Sequence, residues 1–263
     1  MKRRPFIHKL SILGASAFFP MDIMASPNEK LKFIVASDGH YGQPNTAYAK
    51  SHSDLLKAVA EEKDVDFMVI NGDLIHDQPE FLAQVKQVYD QLPFPYFTVR
   101  GNHDRISLEE WQEHWGYPTN HGFRLKNNFG FLILDSSNEA GDYLCVDTSF
   151  AEAQLKSMAD LAAVFVFVHI SQQDWTKHGK SCPEFLSLIG HTPNVKAVFH
   201  GHDHDVDGIM YSHKKPYLWS GHFGGSWGAP QPSYRICEVG DKGQVITYLK
   251  SIANGSILSG HTL

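Results

Sequence analysis

The amino-acid sequence predicts an α/β domain built on two β-sheets in which parallel and antiparallel strands are mixed. In the first part of the chain, apolar strand segments alternate with amphipathic helix segments, an order typical of a mainly parallel sheet. After residue 204 the pattern changes to short strands that lie close together in sequence, which favours antiparallel pairing. No repeat or linker divides the chain, and 263 residues with 42% hydrophobic content suit one domain with a sizeable core.

Five apolar segments are the predicted strands of the first part of the chain, and helix segments lie between most of them. The strands cover residues 31–36, 67–70, 96–99, 164–168 and 195–200. The helices cover residues 48–62, 80–91, 150–161 and 181–190, with a shorter helical or irregular piece at 111–115. Ser149 is the predicted N-cap of the third helix, because Glu152 follows it at the third helical position.

Shorter strands complete the predicted secondary structure. We expect a hairpin over residues 122–135 that turns at Asn127-Asn128, followed by a short strand at 143–146. The antiparallel strands of the last part cover residues 207–211, 216–219, 234–239 and 244–250. Beyond Ala253 the sequence is small and polar, and we expect a loose tail.

The first 26 residues have the pattern of an export signal, which precedes a single folded domain over residues 27–263. Lys2-Arg3-Arg4 are basic, residues 10–19 are mostly apolar, and the small pair Ala25-Ser26 follows. The arginine pair, followed one residue later by a phenylalanine and an aliphatic residue, resembles the twin-arginine signal, with an ordinary secretion signal as the alternative. We therefore expect an exported, periplasmic protein.

Charge and hydropathy argue against two kinds of partner. The formal net charge is −6 and the basic residues form no stripe, so we expect no contact with a nucleic-acid duplex. After the signal no run is long and apolar enough to cross a bilayer, so we expect no stable membrane insertion once the signal is removed. The cysteines leave two arrangements open, one disulfide with one buried thiol or three thiols, and the oligomeric state is not predicted.

Each of the five apolar strands ends in side chains that bind metal ions or transfer protons. Such side chains collect at the carboxyl ends of parallel strands, so we expect these to meet at one edge of the fold. The sixteen histidines of the chain fit this expectation, because metal ligation and proton transfer are the two chief uses of imidazole. In strand order the residues are Asp38 and His40, then Asp73, then Asn102 and His103, then His169, and last His202 and His204.

The chemistry of these side chains predicts two metal ions. Carboxylate, amide and imidazole donors without thiolate suit Mn, Fe, Zn or Co. One such ion takes about four to six ligands, and the strand ends offer more than one ion can use. Two ions need a shared carboxylate, and Asp73 is the best candidate because Gly72 beside it allows a close approach of the backbone.

Five sequence blocks, together spanning residues 31–204, resemble the calcineurin-like metallophosphoesterase superfamily in its usual order. Five blocks with suitable neighbours are far more specific than any single motif. The segment Asp135-Ser136-Ser137 and the Gln154-Leu155 helix look most like the branch of cyclic-nucleotide phosphodiesterases and related phosphoesterases. The blocks are Asp38-Gly39-His40, Gly72-Asp73 with His76-Asp77, Gly101-Asn102-His103-Asp104, His169, and Gly201-His202-Asp203-His204.

The resemblance implies a sandwich of two β-sheets flanked by helices, and it gives each site residue a role. His103 is implied as the proton donor to the leaving oxygen or as a stabiliser of the transition-state charge, with Asp104 orienting it. Two divalent or trivalent ions, of Mn, Fe, Zn or a similar metal, are the implied cofactors. One ion is held by Asp38, His40, Asp73 and His204, and the other by Asp73, Asn102, His169 and His202.

The implied activity is that of a dinuclear metal-dependent phosphoric ester hydrolase acting on a small phosphomonoester or phosphodiester. Two ions that share a hydroxide lower the pKa of water toward about 7, and the hydroxide attacks phosphorus in line. A cyclic-nucleotide phosphodiesterase and a pyrophosphohydrolase of nucleoside diphosphate derivatives are the enzyme alternatives. A catalytically silent metal-binding protein of the same fold is the non-enzyme alternative.

The sequence leaves two interpretations open for the pair His76-Asp77 and two for the glycine-rich segment 220–228. His76 and Asp77 are either partners that support a metal ligand or residues of a solvated turn. The glycine-rich segment 220–228 either brings His222 and Trp227 to a leaving group or simply connects two strands.

Overall fold

The computed structural model describes residues 30–126, 128–240 and 243–263, and within them the chain forms twelve strands and five α-helices. The predicted export signal lies outside the described residues, as does Asn127 of the predicted hairpin turn. The strands are β1 (Leu31–Ala36), β2 (Phe67–Asn71), β3 (Tyr96–Val99), β4 (His121–Leu125), β5 (Phe129–Leu134), β6 (Ala163–Val168), β7 (Val195–His200), β8 (Ile209–Ser212), β9 (Lys215–Trp219), β10 (Ser233–Val239), β11 (Val245–Ser251) and β12 (Ile257–Thr262). The helices are α1 (Tyr48–Ala60), α2 (Leu82–Tyr89), α3 (Leu108–Trp115), α4 (Thr148–Ser157) and α5 (Pro183–Gly190).

The strands form two six-stranded sheets, and both mix parallel with antiparallel pairs. The first sheet has the order β12-β11-β10-β1-β2-β3, in which β1, β2 and β3 are parallel and the remaining pairs antiparallel. The second has the order β4-β5-β6-β7-β9-β8, with antiparallel strands only at its two edges. The predicted α/β fold with two mixed sheets is therefore confirmed.

The two sheets pack face to face through a core that is rich in phenylalanine. Phe33 of β1 lies at its centre, in contact with rings of both sheets at centroid distances from 5.1 to 5.9 Å. The rings around it are Phe67, Phe131, Phe165, Phe167 and Phe199. Burial of such large apolar rings is the main force that holds the two sheets together.

Helices cover the outer face of each sheet. Buried side chains of α1, α2 and α3 pack on the first sheet, and those of α4 and α5 pack on the second. Both sheets are thus buried on two faces, which explains why their central strands are apolar throughout rather than alternating. No helix within the described residues has the length and hydropathy that a membrane span requires.

Three local predictions are wrong. Helix α4 is capped by Asp147 rather than Ser149, because the Asp147 carboxylate accepts a hydrogen bond of 2.9 Å from the Phe150 N–H. Residues 143–146 form no strand, and only a single bridge joins Tyr143 to Ser137. The tail is not loose, because β12 pairs antiparallel with β11; backbone pairing orders this edge strand without needing an apolar sequence.

The cysteines form one disulfide and one buried thiol. Cys145 is bonded to Cys182, which directly precedes α5, while Cys237 lies in the core, where burial raises the pKa of its thiol. The disulfide fastens the segment that follows β5 to the segment that follows β6. Both segments lie beyond the carboxyl ends of parallel strands, where ligand sites of such sheets form.

Candidate metal centre

The carboxyl ends of the two sheets meet at one edge of the sandwich. Asp38, which follows β1 of the first sheet, accepts the backbone N–H of His202, which follows β7 of the second, at 3.0 and 3.1 Å. The Asp38 N–H in turn donates to the Gly72 carbonyl at 3.1 Å, which ties the end of β1 to the end of β2. The convergence predicted from the five strand ends is thus present in the structure.

Three compact groups of possible ligand atoms form at this edge. One contains imidazoles alone, those of His40, His76 and His103, and the other two contain a carboxylate. The two with a carboxylate are the first and second ligand groups, and each is compact enough to hold one ion. In the first, Asp38, His40 and His204 place one ligand atom each within 4.8 Å of the others. In the second, Asp73, His169 and His202 do the same. Because all but one of these side chains are buried, the groups are not the exposed acidic clusters that commonly occur without a metal.

Asp73 lies between the two groups. Its Oδ2 is 3.2 Å from His169 Nε2 in the second group and 3.7 Å from His40 Nε2 in the first. Within the first group, His204 Nε2 lies 3.1 Å from Asp38 Oδ1. A carboxylate that faces imidazoles of both groups is in the position that a shared ligand requires.

Backbone carbonyls fix the histidine tautomers. His169 Nδ1 donates to the Asn71 carbonyl at 2.7 Å, and His204 Nδ1 donates to the Trp227 carbonyl at 3.1 Å. A neutral imidazole that carries its proton on Nδ1 presents the lone pair on Nε2. When either imidazole is neutral, as a metal ligand must be, its Nε2 lone pair faces the buried carboxylates.

Three buried polar atoms of the centre have no hydrogen-bond partner in the described part of the chain. One is His169 Nε2, which lies beside Asp73, and the other two are the acceptors Asn102 Oδ1 and His202 Nε2. Buried polar atoms are nearly always hydrogen-bonded, so two unpartnered acceptors at one site require an explanation. A cation satisfies both, and the donor set of carboxylate, amide and imidazole therefore fits a pair of metal ions.

The charges of the centre depend on each other. Burial by itself raises the pKa of Asp38, but attraction to His204 and His169 outweighs burial and brings the pKa to about 2. Burial likewise opposes ionisation of Asp73, yet His169 and His40 hold its pKa well below the usual range. For His169, burial lowers the pKa, and the two carboxylates raise it to about 10. The carboxylates therefore remain ionised and require positive charge beside them.

The backbone of the centre is held in an uncommon conformation. Four predicted ligands have left-handed φ angles, between 46° and 67°: Asp38, His40, Asp73 and His202. Such conformations are unfavourable for residues other than glycine and cluster at functional sites. Gly72 is required for a different reason, since a Cβ there would lie 2.2 Å from His169 Nδ1.

His103 lies beside the two groups, and Asp77 rather than Asp104 orients it. The backbone N–H of His103 donates to Asp73 Oδ1 at 2.8 Å. The ring Nδ1 of His103 lies 3.1 Å from Asp77 Oδ1. Asp104 instead accepts the N–H groups of Ile75 and Gly101 at 3.1 and 2.7 Å. The predicted contact of Asp104 with His103 is therefore wrong, because Asp104 turns inward to hold the loop.

Asp104 is fully buried, which has a second consequence for its charge. Burial and the neighbouring Asp73 raise the pKa of Asp104 to about 7. With its pKa raised in this way, the Asp104 carboxyl group binds the backbone of the loop rather than the ring of His103. Asp77 is partly exposed and is also paired with Arg105. Partial burial by itself raises the pKa of Asp77, but Arg105 and His103 outweigh burial and lower it.

The family of the chain follows from comparison with known proteins. The model of the family described as calcineurin-like phosphoesterase matches residues 31–223. The chain belongs to the calcineurin-like phosphoesterase family. The resemblance noted in the five sequence blocks is confirmed, while a comparison with curated proteins gives no match.

Solved structures share the fold of this phosphoesterase at low sequence identity. A dimetal phosphatase from Danio rerio has a TM-score of 0.67 and 15% identity, covering 88% of this chain and 98% of its own. A purple acid phosphatase from yellow lupin (Lupinus luteus) has a TM-score of 0.68 and 13% identity, covering 91% of this chain and 54% of its own. The phosphoesterase YfkN from Bacillus subtilis has a TM-score of 0.50 and 12% identity, with 90% of each chain covered.

His76 supports two histidines of the phosphoesterase centre. Its Nδ1 lies 3.0 Å from His40 Nδ1, and its ring stacks on that of His103 with centroids 4.8 Å apart. When His40 presents the Nε2 lone pair to an ion, its Nδ1 carries the proton and donates to His76. Of the two interpretations of His76, the structure favours the supporting partner over the solvated turn.

The glycine-rich segment also packs on the centre, but its two aromatic residues differ in position. Both ring nitrogens of His222 face backbone carbonyls within the segment, those of Gly224 and Ala229, so its side chain holds the loop. Trp227 instead stacks on His204, with ring centroids 4.3 Å apart and an angle of 9° between the rings. On the other side Tyr143 places its ring edge-on to His202, at 4.7 Å.

We expect His76→Ala to weaken binding of Mn²⁺ or Zn²⁺ about tenfold, since outer partners of metal ligands contribute about 10–100-fold. His76→Gln keeps an acceptor for the His40 N–H and should lose much less. Calorimetric titration of the metal-free protein measures the affinity. His191→Ala, an exposed histidine on another part of the surface, is the control. Equal affinities of His76→Ala and the wild type would show that His76 has no supporting role.

Proposed function

We propose that this phosphoesterase is a dinuclear metal-dependent hydrolase of a small phosphomonoester or phosphodiester. The observation that carries the proposal is the position of Asp73, whose Oδ2 faces His169 at 3.2 Å and His40 at 3.7 Å. This position joins two ligand groups into one centre. The purely structural interpretation of the strand ends leaves two buried acceptors without partners, so it accounts for the site less well.

The ligands divide between two ions in the way the sequence blocks imply. One ion would be held by Asp38, His40, Asp73 and His204, and the other by Asp73, Asn102, His169 and His202. The donor set suits Mn, Fe, Zn or a similar metal. When bound, such ions supply Lewis acidity that activates water and neutralises charge on the phosphoryl oxygens.

His103 is the proposed proton donor to the leaving oxygen. Its Nδ1 faces Asp77 Oδ1 at 3.1 Å, and its side chain is 24% exposed, so it is open to a bound substrate. The Asp77 carboxylate orients the ring by accepting from Nδ1–H and leaves Nε2–H directed to the departing alkoxide for transfer. The His103 N–H, bonded to Asp73, fixes the position of this residue relative to the centre.

A substrate panel tests the activity. Metal-loaded protein is assayed with p-nitrophenyl phosphate, bis-p-nitrophenyl phosphate, a cyclic nucleotide and a nucleoside diphosphate derivative. Hydrolysis of the first or second supports the proposal, and preference for the third or fourth selects one of the enzyme alternatives. Metal binding without hydrolysis of any of the four supports a silent metal-binding protein instead.

We expect His103→Ala to lower kcat by about 10²–10⁴, because general acid catalysis contributes about that factor. The metal content should stay that of the wild type, since His103 is assigned to neither ion. Steady-state kinetics and elemental analysis on the same preparation check both statements, with His191→Ala as the control. An unchanged kcat in His103→Ala would contradict the assigned role.

Export to the periplasm is a further part of the proposal. The disulfide between Cys145 and Cys182 supports it, because structural disulfides form and persist in oxidising compartments. The basic and apolar pattern of the first 26 residues supports it as well. A twin-arginine signal would carry the protein across the membrane already folded, which suits a protein that is loaded with metal before export.

We expect replacement of Arg3 and Arg4 together by lysine to retain the precursor in the cytoplasm, because the arginine pair is the recognised part of a twin-arginine signal. Cell fractionation with immunoblotting measures the distribution. A variant with Lys2→Arg, which leaves the pair intact, is the matched control. Unchanged periplasmic delivery of the double lysine variant would exclude twin-arginine transport.

A further inference from the structure

Trp227 exposes a large apolar surface at the rim of a centre that is otherwise polar. Its side chain is 43% exposed, which sets it apart from the buried aromatic residues of the core. One face of the indole is covered by the His204 ring, at 4.3 Å and 9°, and the His40 ring lies 4.8 Å away. The indole thus lies flat over His204, at an angle of 56° to the His40 ring, and presents its remaining surface outward.

The loop that carries Trp227 holds it in place. The Trp227 carbonyl accepts the Nδ1–H of His204, and the Ala229 N–H donates to the His204 carbonyl at 3.0 Å. At Gly228, where φ is 114°, a Cβ would lie 2.4 Å from the Cβ of His204. The loop therefore packs against His204 along its backbone, and the indole is a fixed platform rather than a mobile surface side chain.

The platform lies on the side of the centre where the leaving group departs. The ring of His103, the proposed proton donor, is 6.2 Å from the Trp227 ring, and the ring of His76 is also 6.2 Å away. The oxygen that receives the proton must lie within hydrogen-bond reach of His103. The group attached to that oxygen is then within reach of the indole, whose ring centroid lies 6.2 Å from that of His103.

A planar aromatic ring gains most from such a surface. Stacking of a base on an aromatic side chain strengthens binding, and it is tolerant of base identity because every base has a π-face. A glycerol or sugar leaving group has no such face and gains little.

We propose that Trp227 forms a leaving-group subsite that selects phosphoesters whose leaving group carries a planar aromatic ring, as a nucleoside does. The inference rests on the proposed function, since it places the leaving group by means of His103. It narrows the substrate class from small phosphoesters in general to nucleoside or aryl phosphoesters, in preference to glycerol and sugar phosphates. Trp227 is then a specificity-determining residue.

Kinetics of two variants test the subsite with AMP, p-nitrophenyl phosphate and glycerol 3-phosphate as probes. We expect Trp227→Leu to lower kcat/KM about tenfold for AMP, mainly through KM, because one stacking contact is lost. The value for glycerol 3-phosphate should change by less than about twofold, since no stacking is lost there. Trp227→Phe should restore most of the loss for AMP. Tyr211→Leu, at an exposed aromatic residue on β8, is the control and should change neither.

A binding measurement separates this inference from the proposed function. In a His103→Ala background, AMP should quench tryptophan fluorescence, and Trp227→Leu should abolish the quenching. Equal losses of kcat/KM for AMP and glycerol 3-phosphate, with no Trp227-dependent quenching, would overturn the inference and leave the hydrolase proposal standing. If Trp227→Leu lowers kcat/KM only for p-nitrophenyl phosphate, the subsite binds the ring of aryl esters, and the assignment to nucleoside esters is wrong. If no phosphoester is hydrolysed but AMP still quenches the fluorescence in a Trp227-dependent way, the hydrolase proposal is overturned and the subsite is retained.

Discussion

Two buried carboxylates are the constraint on which the rest of this phosphoesterase depends. Asp38 is 0% exposed and Asp73 is 1% exposed. An ionised carboxylate in such a place is strongly unfavourable unless cationic groups and hydrogen bonds surround it. The groups that surround these two are imidazoles and backbone N–H groups, among them the N–H of His202 and of His103. The site therefore requires positive charge beside the two carboxylates. Bound metal ions would supply this charge without uptake of protons.

The sandwich provides the geometry that this constraint requires. Packing around Phe33 holds the sheets so that strand ends of both reach the same edge. There the hydrogen bonds that Asp38 accepts from the His202 N–H join the end of β1 to the end of β7. The left-handed backbone at four predicted ligands is then maintained by the surrounding structure rather than by local preference. Predicted ligands separated by well over a hundred residues, such as His40 and His204, consequently come within 3.0 Å through their Nε2 atoms.

The sequence predicted the features that depend on strand pattern and on residue type. Apolar strands that end in Asp, Asn or His showed where ligands would gather, and the alternation of strands and helices indicated the two mixed sheets. Side-chain direction within a turn was not predictable from the order of residues, and for this reason Asp104 was given the orienting role that Asp77 has. Strand β12 was missed because an edge strand pairs through its backbone and needs no apolar side chains. Trp227 was named only as one of two candidates, because its distance from His204 depends on tertiary packing.

The number of metal ions bound tests the central claim most directly. Wild-type protein, loaded with Mn²⁺ or Zn²⁺ and freed of excess metal, is compared by elemental analysis with Asp73→Asn, and with Asp54→Asn, a partly exposed residue of α1, as the control. Circular dichroism verifies that all three are folded. We expect about two ions per chain in the wild type and the control, and at most about one in Asp73→Asn, because two-metal centres share a bridging ligand. A folded wild-type protein that binds no metal, or an Asp73→Asn variant with the full content, would contradict it.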